Sequence, residues 1–289
     1  MSPTVVAFQG ERGAFSEEAA RKLLGHDVEV LACRTFDDVF AAVTSGRASS
    51  AILPIENSLA GSVLRNYELL AENKLTIRGE VYVRIELNLI GLPGARIEDI
   101  RTVYSHPVAL AQCQRFLGGH AFEVKPAYDT AGSVKTAVEN ARLDEAGIAG
   151  AAAAEIYGAK ILAKGIEDHH RNYTRFLLLT PGTPAGVGSH AAVSSPHADT
   201  RRKTTILFRT SNRPGALFRA LAAFALRDIN LSKIESRPIE GRPWEYSFYV
   251  DVSGDASDPT VARAIDHLHE MCETVRVLGS YPAGEAPEE

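Results

Sequence analysis

Cysteine, methionine and long apolar runs are scarce in this sequence of 289 residues, which has three cysteines, two methionines and one tryptophan. Cys33, Cys113 and Cys272 lie far apart and form no C-x-x-C pair. They therefore predict reduced structural thiols rather than a disulfide framework or a zinc site. No apolar segment approaches the roughly 20 residues that a membrane-spanning helix needs. The N-terminal sequence also lacks the basic and apolar regions of a signal peptide, and we predict a cytoplasmic protein without a membrane partner.

An excess of positive charge is absent as well. The formal net charge is -5, and the one cluster of cations, residues 201–203, is more typical of a solvated linker than of a nucleic-acid interface. The GERGAFS segment after the first apolar run lacks the Gly-Lys-Ser/Thr ending of a phosphate loop, and no G-x-G-x-x-G motif follows that run. We therefore expect no nucleotide, no metal and no nucleic-acid partner.

What the sequence does contain is typical of two or three folded domains, with 45% apolar and 23% charged residues. Short apolar runs alternate with helical patterns up to residue 182, which predicts an α/β domain with mostly parallel sheets and helices on both faces. Apolar residues at the odd positions of 77–89 predict an extended strand or a pair of strands. We interpret the region as two such α/β lobes around a central cleft, with crossings near 76–90 and 170–176.

The composition shifts to Gly, Pro, Ser, Ala and His after residue 182, and residues 183–203 are predicted to be a linker. The remainder, residues 204–282, has the element order βαββαβ, which predicts a ferredoxin-like domain. The chain is therefore divided into a two-lobed α/β domain (1–182), a linker and a smaller C-terminal domain.

Four polar segments fall where strands of the first domain end: GERGAFS, PIENSLAGS, SHP and DTAGS. Ligands bind at such junctions in α/β domains, beside helix N-termini. Taken singly, each signal is weak, because Ser16, Ser58 and Thr130 are more often helix caps than ligands, and His106 before a proline is more often a capping or packing residue. Together they favour a small anionic ligand such as a carboxylate, in an enzyme or in a solute-binding protein.

The motifs PIENSLAGSV, SHPVALAQC, DTAGSVK and NYTRF, in this order, resemble those of prephenate dehydratases and the related arogenate dehydratases. NRPGALFRALAAF and IESRP resemble the phenylalanine-binding motifs of the regulatory ACT domain in those enzymes. The resemblance covers roughly residues 4–281. It implies two α/β lobes around a cleft, in an architecture that resembles periplasmic binding proteins, and a ferredoxin-like ACT domain. It also implies a cofactor-free reaction in which prephenate loses water and carbon dioxide to give phenylpyruvate.

The resemblance also implies roles for individual residues. Thr174 is the residue on which activity depends, Arg175 pairs with a substrate carboxylate or organises its loop, and Phe176 anchors the strand. A free threonine hydroxyl is a poor acid, so Glu56 and His106 are the candidate proton sources. The polar residues that would orient the substrate carboxylates are Asn57, Ser58, Ser105 and Thr130.

For the C-terminal domain the resemblance implies that L-phenylalanine is an allosteric effector bound between paired ACT domains of a homodimer or homotetramer. The residues that would line this site are Asn212, Gly215, Ala216, Leu217, Glu235, Ser236, Arg237 and Pro238.

Two segments depart from the common bacterial pattern. The first motif is GERGAFS rather than Gly-Pro-x-Gly-Thr-Phe-Ser, and Val108 stands where many members have a polar residue. The first motif and the segment GSVLRNYELL resemble the arogenate-using enzymes. Arogenate dehydration therefore stays open beside prephenate dehydration, and a non-catalytic amino-acid sensor built from the same domains is the alternative from another functional class.

Overall fold

The computed structural model describes residues 4–182 and 201–287, so residues 183–200 of the predicted linker lie outside the described residues. The described chain divides into two units. The first comprises the residues up to Val63 and Val81–Phe176, and the second comprises Leu64–Glu80 and the described part of Leu177–Ala286.

The first sheet of the α/β region has six strands. They are β1 (Val5–Gln9), β2 (Glu29–Cys33), β3 (Ser50–Asn57), β4 (Gly61–Ser62), β5 (Leu75–Arg84) and β11 (Tyr173–Pro181). Their order is β2-β1-β3-β11-β5, with β4 beside β3, and β1 pairs in parallel with both β2 and β3. The helices that alternate with these strands are α1 (Phe15–Leu24), α2 (Phe36–Thr44) and α3 (Leu64–Glu72). The predicted alternation of strands and helices is confirmed here.

The N-termini of α1 and α2 differ in whether the polar residues of the sequence act as the helix caps. The Thr35 side chain accepts a hydrogen bond from the Asp38 backbone N–H, and the Asp38 side chain accepts one from the Thr35 backbone, so the two residues form a capping box at the start of α2. In α1, however, the N-cap is Ala14, and Ser16 lies buried inside the helix. The prediction of Ser16 as a cap was wrong, because the helix begins at Phe15, two residues before the start that a Ser16 cap would set.

Pro54 does not interrupt β3, although a proline has no backbone N–H to donate to a neighbouring strand. The pairing of β3 with β1 involves Ser50 and Ala51, and the pairing with β4 begins at Glu56. Pro54 therefore lies between the two paired stretches, where its missing N–H costs no hydrogen bond to either of these strands.

The second sheet has five strands in the order β10-β6-β9-β7-β8. They are β6 (Asn88–Gly91), β7 (Thr102–Ser105), β8 (Glu123–Pro126), β9 (Glu145–Ala149) and β10 (Lys160–Ala163). The accompanying helices are α4 (Pro107–Ala111), α5 (Gln114–Gly118), α6 (Thr130–Glu139) and α7 (Ala151–Ile156). β7 runs parallel to β8 and β9, whereas β6 is antiparallel to β9 and β10, so this sheet is mixed rather than mostly parallel.

The C-terminal part of the second unit is an antiparallel sheet in the order β13-β14-β12-β15 with two helices. Its elements are β12 (Arg202–Arg209), α8 (Ala216–Ala225), β13 (Leu231–Ile239), β14 (Arg242–Ser253), α9 (Pro259–Met271) and β15 (Thr274–Pro282). The predicted βαββαβ order is confirmed. Phe208, Phe224, Val250 and Leu268 are fully buried in the core between the sheet and the helices.

Helix α3 belongs to this same unit and contacts strands β13, β14 and β15 of the antiparallel sheet. The Tyr249 hydroxyl donates to the Tyr67 carbonyl at 2.5 Å, and the two rings meet edge to face at 4.9 Å. The Arg276 guanidinium donates to the Ala71 carbonyl at 3.0 Å and to other carbonyls at the end of α3. A cation at a helix C-terminus satisfies free carbonyl groups and complements the helix dipole.

Two kinds of feature are absent from the described ranges, 4–182 and 201–287. No helix there is long and apolar enough to cross a membrane. Within the same ranges, no three His, Cys, Asp or Glu side chains are grouped so that they would hold a metal ion.

Candidate active site

A cavity of about 730 Å³ in the first unit is lined from both sheets of that unit. The first lobe contributes residues that follow β1 and β2 and the end of β3. The second lobe contributes the starts of α4 and α6. Strand ends and helix starts therefore converge on the cavity, as expected for a ligand site in an α/β fold. We refer to this cavity as the cleft.

Strand β11 presents alternate side chains to the cleft. Thr174 and Phe176 line it, whereas Arg175 between them does not, and Arg175 is only 6% exposed. Successive side chains of a strand point to opposite faces, which explains the difference. The structure therefore places the first and third side chains of the Thr-Arg-Phe segment at the cleft and does not place the guanidinium there.

Asn57 holds Thr174 in a defined hydrogen-bond arrangement. The Asn57 Oδ1 atom accepts from the backbone N–H groups of Leu59 and Ala60, at 3.0 and 2.8 Å. These two donors fix the orientation of the amide, so its Nδ2 group must face the other way. There it donates to Thr174 Oγ1 at 3.0 Å and to Asn172 Oδ1 at 2.8 Å. Because Thr174 Oγ1 accepts this bond, its own proton is directed elsewhere.

Two polar residues that the sequence reasoning missed complete this network. Asn172 is fully buried and donates through Nδ2 to Gln112 Oε1 at 3.0 Å, and Gln112 Nε2 lies 3.4 Å from Asn57 Oδ1. Both residues stand inside the motifs that carried the resemblance, at the start of NYTRF and near the end of SHPVALAQC. The amide of a buried asparagine requires hydrogen-bond partners. The asparagine at the start of NYTRF was therefore the signal in the sequence that a polar network lies next to Thr174.

Three of the other predicted site residues are not among those that line the cleft: Glu56, Ser58 and Ser105. The Ser58 hydroxyl accepts from the Tyr173 N–H at 3.0 Å and donates to the Arg171 carbonyl at 3.3 Å. Ser105 is fully buried and donates to the Ile148 carbonyl at 2.6 Å. Both serine hydroxyls thus hold backbone segments together.

His106 and Thr130 do line the cleft. His106 caps α4, and its Nδ1 atom accepts from the Val108 N–H at 3.3 Å, which leaves the proton on Nε2. Burial lowers the pKa of His106, and the nearby Asp129 carboxylate offsets part of this effect. The imidazole is therefore neutral near pH 7 and acts there as a hydrogen-bond donor. Thr130 is the first residue of α6, whose N-cap is Asp129.

Arg34 was not singled out in the sequence, yet it is the cation of the cleft. Among the described residues, it is the only lysine or arginine that lines the cavity. Arg34 is exposed and makes no hydrogen bond or ion pair with the described residues. It lies near Tyr128, where burial raises the pKa of the phenol and the positive charge of Arg34 offsets part of that rise. A lone arginine after an apolar run belongs to no motif, so sequence patterns gave no reason to choose it.

The predicted effector residues of the C-terminal domain separate into two groups. Asn212, Ala216 and Leu217 line a cavity of about 130 Å³, together with aromatic side chains of β14 that were not predicted. Gly215 caps α8 with a positive φ of 76°, a conformation that glycine adopts at little cost. Residues 235–238 lie on the edge strand β13 and are not among those that line this cavity.

Comparisons with known proteins agree across nearly the whole chain. The family model described as prephenate dehydratase matches residues 6–183, and the ACT domain model matches residues 204–270. An arogenate dehydratase/prephenate dehydratase of Arabidopsis thaliana is 44% identical, over 96% of this chain and 72% of that protein. A bifunctional N-acyl-homoserine lactone acylase/prephenate dehydratase of Komagataeibacter europaeus is 38% identical, over 96% of both chains. The crystal structure of a prephenate dehydratase from Arthrobacter aurescens in complex with L-Phe superposes with a TM-score of 0.84 at 32% identity, covering 96% of this chain and 89% of that one.

Proposed function

We propose a mechanism and a regulator for this chain, which belongs to the prephenate dehydratase family. It is a hydro-lyase whose reaction is the decarboxylating dehydration of prephenate or of arogenate. The observation that carries the mechanism is Thr174, which lines the cleft and whose hydroxyl accepts a hydrogen bond from Asn57.

The reaction breaks two bonds that join the cyclohexadiene ring to its substituents, one to the ring carboxylate and one to the 4-hydroxyl. The ring carboxylate leaves as carbon dioxide, its electron pair enters the ring, and the 4-hydroxyl departs and takes up one proton to become water. Thr174 donates a hydrogen bond to the departing oxygen as negative charge develops there. Neither Thr174 nor a neutral His106 is a strong acid, so we assign the proton to solvent that enters the open cleft.

The walls of the cleft suit the loss of the ring carboxylate. Many of the side chains that line it are apolar, including Phe15, Phe36, Ile85, Leu87 and Phe176. A localised carboxylate is poorly solvated beside such groups, whereas carbon dioxide is neutral. The position of Arg175 away from the cleft fits this arrangement, because a cation that gripped the departing carboxylate would stabilise the ground state without accelerating the step.

Turnover of both substrates tests the proposal directly. We expect the purified protein to convert prephenate to phenylpyruvate, arogenate to phenylalanine, or both, without added metal or cofactor. Phenylpyruvate is measured by its absorbance in alkali and phenylalanine by amino-acid analysis, against blanks without protein. A well-folded preparation that converts neither substrate would contradict the proposed reaction and favour the amino-acid sensor.

Hydrolysis of N-acyl-homoserine lactones is the second candidate activity. The relative from Komagataeibacter europaeus is named for both activities and is similar over 96% of this chain. The apolar walls of the cleft would accept an acyl chain. The same preparation, incubated with an N-acyl-homoserine lactone, would release homoserine lactone if the chain shares this activity.

We also propose that L-phenylalanine regulates the enzyme through paired ACT domains of a homodimer or homotetramer. Asn212, Ala216 and Leu217 line one side of a small cavity, and the edge strand β13 is available for pairing with a second copy. The Arg237 guanidinium of β13 also pairs with Glu68 of α3 and lowers the pKa of that carboxyl. Helix α3 follows in the chain directly after Gly61, Ser62 and Val63, which line the cleft.

The predicted cytoplasmic location stays a prediction.

Phenylalanine is expected to lower turnover and to raise the melting temperature, because a ligand that binds only the folded state stabilises it. Asn212→Ala should weaken both effects. Glu68→Gln should keep the shift in melting temperature and reduce the inhibition, since it removes the ion pair but no residue of the cavity. Unchanged turnover and an unchanged melting temperature at saturating phenylalanine would refute the regulator, and light scattering with and without phenylalanine gives the oligomeric state.

A further inference from the structure

The segment that follows β1 joins the two lobes of the first unit. The Glu11 backbone N–H donates to Asp129 Oδ2 at 2.9 Å, and the Glu11 carboxylate pairs with Lys135 Nζ at 3.1 Å. Gln9 Nε2 donates to the Tyr128 hydroxyl at 2.7 Å. Gln9 ends β1 in the first lobe and Glu11 follows it, and their three partners lie just before or within α6 of the second lobe. We refer to these three contacts as the clasp.

The backbone of the same segment also lies directly against the second lobe. The hydroxyl of Tyr157, the residue after α7, donates to the Arg12 carbonyl at 3.0 Å. A Cβ atom at Gly13 would lie 2.8 Å from the Ala153 Cα atom in α7, which is closer than side chains approach a backbone. Gly13 has a φ of 84° and no side chain, so it permits this approach. The clasp therefore lies at a closely packed seam between the lobes.

The clasp forms part of the cleft wall and stands between the cleft and a second cavity. Tyr128 and Asp129 line both the cleft and this second cavity, whose volume is about 530 Å³. Glu11 and Lys135 line the second cavity and are not among the residues that line the cleft. A substitution of the Glu11 side chain therefore alters the clasp without altering a side chain of the cleft wall.

The Asp129 carboxylate serves both lobes. Its Oδ1 atom accepts from the Gly132 N–H and caps α6, while its Oδ2 atom accepts from the Glu11 N–H of the first lobe. Asp129 is buried, and a hydrogen bond to a charged group contributes more than one between neutral groups. Thr130, the next residue, and Ala14, three residues after Glu11, both line the cleft. The carboxylate thus fixes the distance between a cleft residue of each lobe.

We propose that Glu11 and Asp129 are positioning residues, which hold the two lobes at the separation that binds substrate. If the lobes part in the free protein, the apparent affinity falls with the fraction of molecules in which the clasp is closed. Bound substrate contacts both lobes and restores the closed arrangement, so the chemical step proceeds as before. Loss of the clasp should therefore raise KM and leave kcat unchanged. This inference rests on the proposed function, because the KM is that of the proposed substrates.

Substitutions that remove a carboxylate separate this role from a purely electrostatic one. Both proposed substrates carry a net negative charge, so the loss of a nearby carboxylate alone would lower KM. Asp129→Ser keeps a residue that caps α6 well but removes the oxygen that accepts from Glu11, and KM should instead rise by about tenfold. Glu11→Gln removes only the partly exposed ion pair, and KM should rise by about two- to fivefold. We expect kcat to change by no more than about twofold in either variant.

Hydrogen–deuterium exchange gives a readout that needs no turnover. Glu11→Gln keeps both the backbone N–H of residue 11 and its acceptor Asp129, so faster exchange of this amide reports opening of the clasp. Exchange of a peptide that contains residues 9–13 should become about two- to fivefold faster. Glu139→Gln is the matched control, because Glu139 also lies on α6 and lines the second cavity but does not belong to the clasp. It should leave the exchange rate unchanged and should not raise KM.

Melting temperatures show whether each variant is folded, and Glu11→Gln decides the question if Asp129→Ser is not. A KM that stays the same or falls in the folded variants would overturn the positioning role, as would a loss that appears in kcat alone. An unchanged exchange rate in Glu11→Gln would show that the ion pair does not hold the lobes together. Failure of the proposed function has a different signature. The unmodified protein would then convert neither substrate, while exchange would still become faster in Glu11→Gln and not in Glu139→Gln.

Discussion

Replacing Thr174 with alanine lowers kcat by about 10²- to 10⁴-fold, the range expected when a donor to a departing oxygen is removed. The residue lines the cleft and is only 8% exposed, and its backbone belongs to β11. The loss should therefore fall on the chemical step and much less on substrate binding. Stopped assays of phenylpyruvate or phenylalanine formation at saturating substrate measure it.

Two further substitutions at this position separate chemistry from packing. Thr174→Val keeps the volume and removes the hydroxyl, so it should be as inactive as alanine. Thr174→Ser keeps the hydroxyl and should retain most of the activity. Melting temperatures check that all three variants fold. Activity in Thr174→Val comparable to the unmodified enzyme would remove the hydroxyl from the mechanism.

The fold was predictable where a sequence pattern decides a structure locally. The period-two pattern over residues 77–89 gave β5 and β6, and the βαββαβ order of the C-terminal domain followed from alternating apolar runs and helix starts. Strands β2 and β10 were not predicted. In β2 only Cys33 is buried, and none of the four residues of β10 is, so neither strand has the apolar signal of a core strand.

The site was predictable only in part, because its contacts join residues that are distant in the chain. Thr174 was found through the order of the motifs, but its partner Asn57 is 117 residues away. Asn172 and Gln112 are 60 residues apart, and no local rule predicts that their side chains meet. The position of Arg175, by contrast, follows from strand alternation once Thr174 is assigned to the cleft.

Replacing Asn57 with aspartate is expected to lower kcat by about 10²-fold with almost no change in side-chain volume, the size of effect that a misplaced catalytic group produces. One carboxylate oxygen would still accept from the N–H groups of Leu59 and Ala60. The other oxygen would replace the Nδ2 donor and face Thr174 Oγ1 as an acceptor. Thr174 would then turn its proton toward the new carboxylate, and the departing 4-hydroxyl would lose its donor.

The pH dependence of this variant distinguishes a reversed hydrogen bond from a general loss of structure. The new oxygen would also face Asn172 Oδ1 and the Tyr173 carbonyl, which are acceptors, and this environment raises the pKa of the introduced carboxyl. When the pH falls through that pKa, the carboxyl gains a proton that it can donate to one of these acceptors, and Thr174 is released to donate to the substrate again. The activity of Asn57→Asp relative to the unmodified enzyme should therefore rise on acidification.

Asn57→Ala removes the donor without adding a titrating group, and it supplies the control because its activity relative to the unmodified enzyme should not depend on pH. If Asn57→Asp shows the same flat ratio as Asn57→Ala, the amide has no part in directing the Thr174 proton and serves only to hold the loop that follows β3. If the ratio rises only for aspartate, the buried amide sets the direction of the hydroxyl. The reactivity of Thr174 is then a property of the hydrogen-bond network around it rather than of the threonine alone.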